Sequence, residues 1–192
     1  MQNLDNLIER WRTGDQRAAE SIYNLHKEST YRLAYALLGN SQDAEEAAQD
    51  ALSYALLHID RFDQSRSKFT TWLHMITVSR SRDLYRKRRP PTLSLNAWLQ
   101  QRRSSANTYN SPEHKVETSE LRNEVWNAVQ TLSPILREAI VLRYWNRHTY
   151  QEIGEILGCP MKTAQSRVRL AHQKLAETLN EVEILKNAED LA

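Results

Sequence analysis

A stripe of hydrogen-bond donors in the C-terminal third of the chain has the residue types and the spacing needed to contact DNA. Its members, at helical spacing, are Lys162, Gln165, Ser166, Arg169 and Gln173. Such side chains hydrogen-bond to base edges in the major groove and to backbone phosphates. On the other face, Ala164, Val168, Ala171 and Leu175 fall at i, i+4, i+7 and i+11, which predicts a helix with one side packed inward.

The residues in front of this helix predict a helix-turn-helix. Thr149 and Glu152 have the spacing of a capping box that begins a short apolar-periodic helix. Gly158 is placed to end that helix in the left-handed conformation, and Pro160 suits the first turn of the next helix. From these residues alone, the other interpretation is an ordinary helical hairpin whose polar face is solvated.

Composition predicts an all-α protein without a global nucleic-acid charge signature. The 192 residues include only four glycines and five prolines, and apolar residues recur at helical spacing almost throughout. The 26 basic residues exceed the 24 acidic ones by a formal charge of only +2, so any basic surface must be local. The absence of a long apolar run and of a signal-peptide pattern predicts a cytoplasmic protein. The single cysteine, Cys159, excludes an internal disulfide and a multi-cysteine zinc site.

Four helices are predicted in the N-terminal half. The first covers Leu4–Trp11, the second runs from Gln16 to Leu38, the third has Ser41 as its N-cap and runs through Ile59, and the fourth begins at Phe69 and stops before Pro90-Pro91. Asp60–Lys68 breaks the pattern and is predicted to be a loop.

The fourth helix is strongly basic toward its end. Its cationic side chains are Arg80, Arg82, Arg86, Lys87, Arg88 and Arg89. Six cations exceed what the helix dipole needs and indicate a phosphate-binding stripe. Phe62, Trp72 and Tyr85 lie close by, and basic charge beside aromatic rings is the composition that binds unpaired bases. The third helix carries a mostly acidic patch, which from spacing alone is a solvated face: Glu45, Glu46, Gln49 and Asp50.

Two helical domains and a linker are therefore expected. Residues 1–89 form the first, residues 90–117 form a linker rich in Pro, Ser and Asn, and residues 118–192 form the second. The linker includes a predicted local turn of helix over Leu93–Leu99. In the second domain, periodicity returns at Ser119, and Ser133-Pro134 marks a further helix start before the helix-turn-helix.

In this order, the motifs resemble those of a bacterial extracytoplasmic-function (ECF) RNA polymerase sigma factor. The N-terminal half carries DAEEAAQDA (Asp43–Ala51) and FTTWLHMITVSRSRDLYRKRR (Phe69–Arg89). The C-terminal half carries LSPILREAIVLRYW (Leu132–Trp145) and KTAQSRVRLAHQKL (Lys162–Leu175). The resemblance covers nearly the whole chain and implies two all-α domains, the first joining core polymerase and opening the −10 promoter element, and the second reading the −35 element.

The resemblance assigns a role to each of these surfaces. The acidic patch Glu45, Glu46, Gln49 and Asp50 aligns with the helix that docks on the β′ clamp helices of core polymerase. The residues implied at the −10 element are Phe62, Arg66, Lys68, Ser79, Arg80, Arg82 and Arg86. Those implied at the −35 element are Lys162, Thr163, Gln165, Ser166, Arg167 and Arg169. An anti-sigma factor is a further partner that the family often uses.

Five residues depart from the usual family pattern: Glu46, Leu52, Ser79, Met161 and Gln165. Two of them bear most directly on promoter recognition. Ser79 stands where the family commonly has Asn near the −10 pocket, and Gln165 stands where Lys or Arg is common. Neither the captured base nor the −35 sequence is therefore predicted. The resemblance also implies promoter elements roughly 85 Å apart. A linker of about 28 residues spans roughly 30 Å as free coil and at most about 90 Å when extended, so the free chain is expected to bind promoters poorly.

Two other classes compete with a sigma factor. A helix-turn-helix repressor or activator acting without core polymerase would explain the donor stripe but leaves the basic run and the acidic patch unused. An enzyme is not expected, because the six histidines are scattered, and the chain has neither an HExxH motif nor a glycine-rich phosphate loop. No catalytic residue, cofactor or metal ligand is predicted.

Overall fold

Helices make up almost all of the structure, a computed structural model that describes residues 4–88 and 116–189. The eight α-helices in these ranges are α1 (Leu4–Arg12), α2 (Gln16–Leu38), α3 (Ser41–Leu57), α4 (Phe69–Arg88), α5 (Val116–Thr131), α6 (Pro134–Tyr144), α7 (Tyr150–Leu157) and α8 (Met161–Glu189). A short 3-10 turn, Ile59–Arg61, follows α3. No strand occurs in the described ranges, and the predicted all-α class is confirmed.

The chain divides into two compact units. The first unit contains α1 to α4, and the second contains α5, α6, α8 and the start of α7. The Leu93–Leu99 turn, most of the predicted linker and Arg89 lie outside the described residues. The boundaries predicted for the domains stay a prediction. None of the described helices has the length and apolarity needed to cross a membrane.

The first unit has two apolar clusters. The larger joins all four helices and includes Ile8, Ile22, Leu52 and Leu73, each at most 2% exposed. The smaller is built mainly from alanines of α3, which lie against Ala34 and Leu84. Small side chains allow close helix approach, and α3 therefore packs between α2 and α4.

Polar caps fix the ends of these helices. The Asp15 carboxylate caps α2 by accepting the Arg17 amide at 3.0 Å, and it also pairs with Arg10 at 2.6 Å. The hydrogen bond from Arg10 lowers the pKa of Asp15. At the other end of α2, Gly39 adopts a φ of 70° and its N–H donates to the Tyr35 carbonyl at 2.8 Å.

The predicted N-cap of α3 is wrong by one residue. Asn40, not Ser41, adopts extended backbone, and its side-chain oxygen accepts the Asp43 amide at 2.9 Å. Ser41 is the first helical residue. Asn and Ser both cap helices well, so local preference did not distinguish them. The helix also ends at Leu57, before the predicted Ile59, which lies in the 3-10 turn.

The second unit is held by a buried apolar core and by one buried guanidinium. Leu142, Ile153 and Val168 are among its fully buried side chains. The Arg137 side chain is 6% exposed and donates to the carbonyls of Gln130 and Leu132 at 2.7 and 3.1 Å. Gln130 lies in the last turn of α5 and Leu132 in the connection to α6, so Arg137 fixes the start of α6, which begins at Pro134 as predicted.

Candidate nucleic-acid interface

Main-chain hydrogen bonds set the turn between α7 and α8. Gly158 has a φ of 66°, and the Cys159 N–H donates to the Gly154 carbonyl at 2.9 Å, which is the long bond of a Schellman motif. The Pro160 carbonyl then accepts the Thr163 and Ala164 amides at 2.8 and 3.1 Å. Gly158 is therefore the predicted left-handed residue, whereas Pro160 precedes α8 as its cap and does not lie in its first turn.

The predicted capping box at the start of α7 is confirmed. The Thr149 hydroxyl accepts the Glu152 amide at 3.2 Å, and the Glu152 carboxylate accepts the Thr149 amide at 2.8 Å. The same carboxylate lies 3.5 Å from Nδ1 of the buried His148. Together these contacts fix the entry to α7, so the helix-turn-helix has both of its boundaries defined by hydrogen bonds.

The two faces of α8 differ as the sequence predicts. Ala164, Val168 and Ala171 are at most 2% exposed. The opposite face presents the donor stripe to solvent, with Lys162, Gln165, Arg169 and Gln173 exposed and Ser166 partly buried. Thr163 is also partly buried. An exposed row of amide and cationic donors on the second helix of a helix-turn-helix has the chemistry of a major-groove reader.

Arg167 differs from the rest of the stripe. Its side chain is partly buried, and Nη1 donates to Sγ of Cys159 at 3.6 Å. The guanidinium therefore lies back over the turn instead of projecting along the exposed face with Arg169. This placement suits a contact with a phosphate at the groove edge better than a contact with a base.

In the first unit, the loop between α3 and α4 is anchored near its middle by Phe62. Phe62 is 3% exposed and packs edge-on against Phe69 with ring centroids 5.3 Å apart. The Arg12 guanidinium donates to the Phe62 carbonyl at 2.5 Å and to the Ile59 carbonyl at 3.5 Å. Phe62 was predicted to meet a base at the −10 element, but its ring is buried. Its structural effect is to support the loop.

The chain around Phe62, together with Arg12 of α1, forms an open cavity of about 700 Å³ at the surface. Its lining residues are Arg12, Asp60, Phe62, Asp63, Gln64 and Ser65. The Asp63 carboxylate accepts the Ser65 hydroxyl at 2.7 Å and the Ser65 amide at 2.9 Å, and these bonds, the hydroxyl first, lower the pKa of Asp63. The loop thus offers an anchored, hydrogen-bonding concavity of a size that accommodates a nucleobase.

A second cleft lies between α3 and α4, with a volume of about 290 Å³. It is lined by Tyr54, Arg61, Trp72, Met75, Ile76, Ser79 and Arg80. Tyr54 holds both guanidinium groups, since Arg61 donates to its hydroxyl at 2.9 Å and Arg80 lies 4.7 Å above its ring centroid. A partly exposed indole beside two fixed cations has the chemistry that binds an unpaired base and its phosphates.

The other predicted −10 residues surround these cavities. Arg66 and Lys68 are exposed in the loop, and Arg82 is partly buried on α4. Arg86 is exposed and pairs with Asp83 of its own helix at 2.5 Å. The structure therefore brings Ser79 and Arg80 into one cleft and places Arg86 farther along the helix.

The predicted docking patch lies on the exposed side of α3, opposite the buried alanines. Glu45, Gln49 and Asp50 are exposed. Glu46 is only partly exposed because Arg88 donates to its carboxylate at 3.0 Å. Arg88 also pairs with Asp43.

Sequence reasoning missed several residues of these sites. Tyr54, Arg61 and Met75 line the cleft, but they lie on three different elements and share no period. Asp63 gave a usable signal, because an Asp side chain in a turn commonly accepts the backbone N–H two residues on, which here is that of Ser65. In the described parts of the chain, no group of three or more His, Cys, Asp or Glu side chains is placed to hold a metal ion.

Comparison with known proteins identifies the class that these two units define. The profile for Sigma-70 region 2 matches residues 22–90, and the profile for Sigma-70, region 4 matches residues 122–175. These matches fall on the first unit and on the unit that carries the helix-turn-helix. The chain therefore contains segments that match region 2 and region 4 of the sigma-70 family.

Relatives that align over nearly the full length of this chain show which family within this class it belongs to. The ECF RNA polymerase sigma factor SigW of Bacillus subtilis (strain 168) is 33% identical over 184 residues, covering 91% of this chain and 96% of the relative. The ECF RNA polymerase sigma-E factor of Escherichia coli (strain K12) is 31% identical over 174 residues, covering 88% and 90%. This chain belongs to the ECF family of RNA polymerase sigma factors, and a repressor acting without polymerase is not favoured.

Solved structures agree on the fold. CnrH, solved in complex with the cytosolic domain of CnrY, matches with a TM-score of 0.66 at 24% identity, covering 93% of this chain and 99% of that one, and this likeness shows the fold alone. The sigma factor RpoE, solved with the anti-sigma factor NepR from Bartonella quintana, matches with a TM-score of 0.62 at 26% identity, covering 84% and 96%.

Proposed function

We propose that the sigma factor divides promoter recognition between its two units. The first unit, within residues 1–89, docks on core RNA polymerase and opens the −10 element. The second, within residues 118–192, reads the −35 element through α8, and residues 90–117 join them. The observation that carries this division is the separate chemistry of the surfaces: an exposed donor row on α8, and aromatic clefts with fixed cations in the first unit.

At the −35 element, Gln165 and Arg169 contact base edges, and Lys162 and Arg167 contact phosphates. The first pair is exposed on the face opposite the buried alanines, whereas Arg167 lies back over the turn. Ser166, partly buried beside them, is a further residue of the base-reading face, and the partly buried Thr163 contacts the DNA next to it. A bidentate base contact is worth about 1–3 kcal/mol of discrimination.

At the −10 element, the loop cavity and the cleft beside Trp72 accept unpaired bases of the melted strand. Unstacking a base costs a few kcal/mol, and stacking on an aromatic ring with a nearby cation offsets about 1–3 kcal/mol per base. Arg66, Lys68, Arg82 and Arg86 bind the promoter backbone. Ser79 lines the cleft and hydrogen-bonds the base there.

Core polymerase is the partner of α3, through the β′ clamp helices. Glu45, Glu46, Gln49 and Asp50 form one polar face whose reverse side is rigidly packed. An anti-sigma factor is a further proposed partner, supported by the complex of the related RpoE with NepR. We propose that the chain acts in the cytoplasm and has no catalytic activity of its own, because sigma factors are not enzymes.

Transcription in vitro tests this function. Purified chain and core polymerase should give initiation from a subset of a promoter library, whereas core alone should not. Arg169→Ala should relax the preference at one or two −35 positions. Arg86→Ala should instead weaken binding of the holoenzyme to every promoter and reduce the salt slope by about one.

Two outcomes would contradict the proposal. One is initiation that does not depend on contacts between this chain and core polymerase. The other is an absence of initiation from every promoter in the library. Either outcome would favour the repressor class. Identical behaviour of the two arginine variants would show that α8 and α4 do not divide base reading from phosphate binding.

A further inference from the structure

One ion-paired residue joins two surfaces that the proposed function treats as separate. Arg88, the last residue of α4, donates from Nη2 to Oε2 of Glu46 at 3.0 Å and pairs through Nη1 with Asp43. The Arg88 and Glu46 side chains are each 43% exposed, and Asp43 is 17% exposed. The pair connects the end of the basic run on α4 with the first turns of α3.

Each side of this pair has a competing use. Glu46 belongs to the face proposed for core polymerase, and Arg88 belongs to the basic run that the sequence predicts to bind phosphates. A cation of the polymerase that takes Glu46 must displace Arg88. A phosphate that takes Arg88 must likewise free Glu46.

We propose that Arg88 couples polymerase docking to promoter binding. When either partner binds alone, it pays for breaking the Arg88–Glu46 pair. When both bind, the pair is broken only once, and each partner therefore raises the affinity of the other by the same factor. The inference rests on the proposed function, which assigns Glu46 to polymerase and Arg82 and Arg86 of α4 to the promoter backbone, and it extends the second assignment to Arg88.

Neighbouring residues of the same type lack this connection. Arg86 pairs with Asp83 on its own helix. Glu45 is exposed and makes no ion pair among the described residues. Arg86 and Glu45 are therefore controls of equal charge for Arg88 and Glu46, and each is more exposed than the residue it controls for.

The expected coupling is small but measurable. Exposed ion pairs contribute little because water and salt screen them, and such pairs change an equilibrium by about two- to five-fold. Asp43 remains available to Arg88 after Glu46 is taken, which keeps the value within this range. The coupling should diminish as salt is raised, because both ions are partly exposed.

The first test uses the free full-length chain and a duplex oligonucleotide at low salt. Glu46→Gln should raise DNA affinity about two- to five-fold more than Glu45→Gln, because only the former removes one of the two carboxylates that hold Arg88. The comparison removes the general effect of losing one negative charge. Equal gains in the two variants would overturn the coupling.

The second test uses the polymerase complex. Affinity for core polymerase is measured by competition, with and without saturating promoter DNA, and the ratio of the two values is the coupling factor. Arg88→Ala should lower this factor about two- to five-fold and tighten core binding in the absence of DNA. Arg86→Ala should leave the factor unchanged. An unchanged factor in Arg88→Ala would sink the proposal.

Failure of the proposed function gives a different result. If α3 does not dock on polymerase, Glu45→Ala and Asp50→Ala will leave core affinity unchanged. If docking is correct but the coupling is not, those two variants will weaken core binding while the Arg88 and Glu46 variants behave like their controls.

Discussion

Replacing Gly154 by alanine tests the geometry of the helix-turn-helix. A Cβ at this position would lie 2.7 Å from the Cys159 carbonyl oxygen and 3.3 Å from the Met161 amide nitrogen. Both are main-chain atoms, and the same turn is closed by the hydrogen bond from the Cys159 N–H to the Gly154 carbonyl. No side-chain rotation can relieve the contact, so α7 and the turn must separate.

The size of the effect follows from two opposed contributions. Alanine in a helix interior is normally favoured over glycine by about 0.8–1.0 kcal/mol. Overpacking a tight site costs about 1–3 kcal/mol. We therefore expect Gly154→Ala to lower stability by about 1 kcal/mol. The same substitution at an unhindered helix glycine would raise stability by about that amount.

Hydrogen exchange of the full-length chain measures this loss of stability at the helix-turn-helix itself. Amides of α7 and of the first turns of α8 should exchange about five-fold faster in Gly154→Ala, with little change in α1 to α4. Met161→Ala should not rescue the variant, because the contact is with main-chain atoms. Slower exchange in Gly154→Ala would refute the reasoning.

Gly158 provides the matched control. A Cβ there meets nothing within 4 Å, but the φ of 66° is unfavourable for other residues. Gly158→Ala should therefore also destabilise the turn, by about 1–2 kcal/mol. Gly158→Asn should recover most of that loss, because asparagine tolerates the left-handed region. Asparagine at position 154 should recover nothing.

Two further predictions concern the first unit. His26 is 6% exposed, its Nε2 has no hydrogen-bond partner among the described residues, and burial lowers its pKa. At pH values below 6.5, the usual pKa of histidine, the unfolded chain binds more protons than the folded chain. The free energy of unfolding should therefore fall as the pH falls. His26→Leu should flatten that slope in urea unfolding, and an unchanged slope would contradict this. Arg12→Ala removes the guanidinium from two loop carbonyls and should lower the free energy of unfolding by about 1–2 kcal/mol. The same variant should slow promoter opening, measured by permanganate reactivity. Arg17→Ala, the control, should have neither effect.

Local signals in the sequence were enough to predict the helix boundaries that matter most. Thr149 and Glu152 determined the start of α7, and Gly39 and Gly158 determined two helix ends, because each acts through backbone within a few residues. The start of α3 was misplaced by one residue, since adjacent Asn40 and Ser41 are both good caps.

Contacts between distant segments could not be predicted in the same way. Phe62 lies in a loop without periodicity, so nothing in its neighbours indicated that its ring packs on Phe69 and Trp72. Arg88 and Glu46 are 42 positions apart, and each is typical of a solvated helix surface. The cleft beside Trp72 is likewise assembled from α3, the 3-10 turn and α4, and only the packing of those elements brings its side chains together.

The alanine-rich side of α3 has a consequence for binding entropy. Ala44, Ala47, Ala48, Ala51 and Ala55 are all buried, and alanine has no rotamers to lose or to rearrange. The helix beneath the proposed docking face is therefore preorganised, and association there should order few groups beyond the exposed side chains themselves. Substitutions at Glu45, Gln49 and Asp50 should then change affinity through the contacts they remove, with little contribution from refolding of the helix.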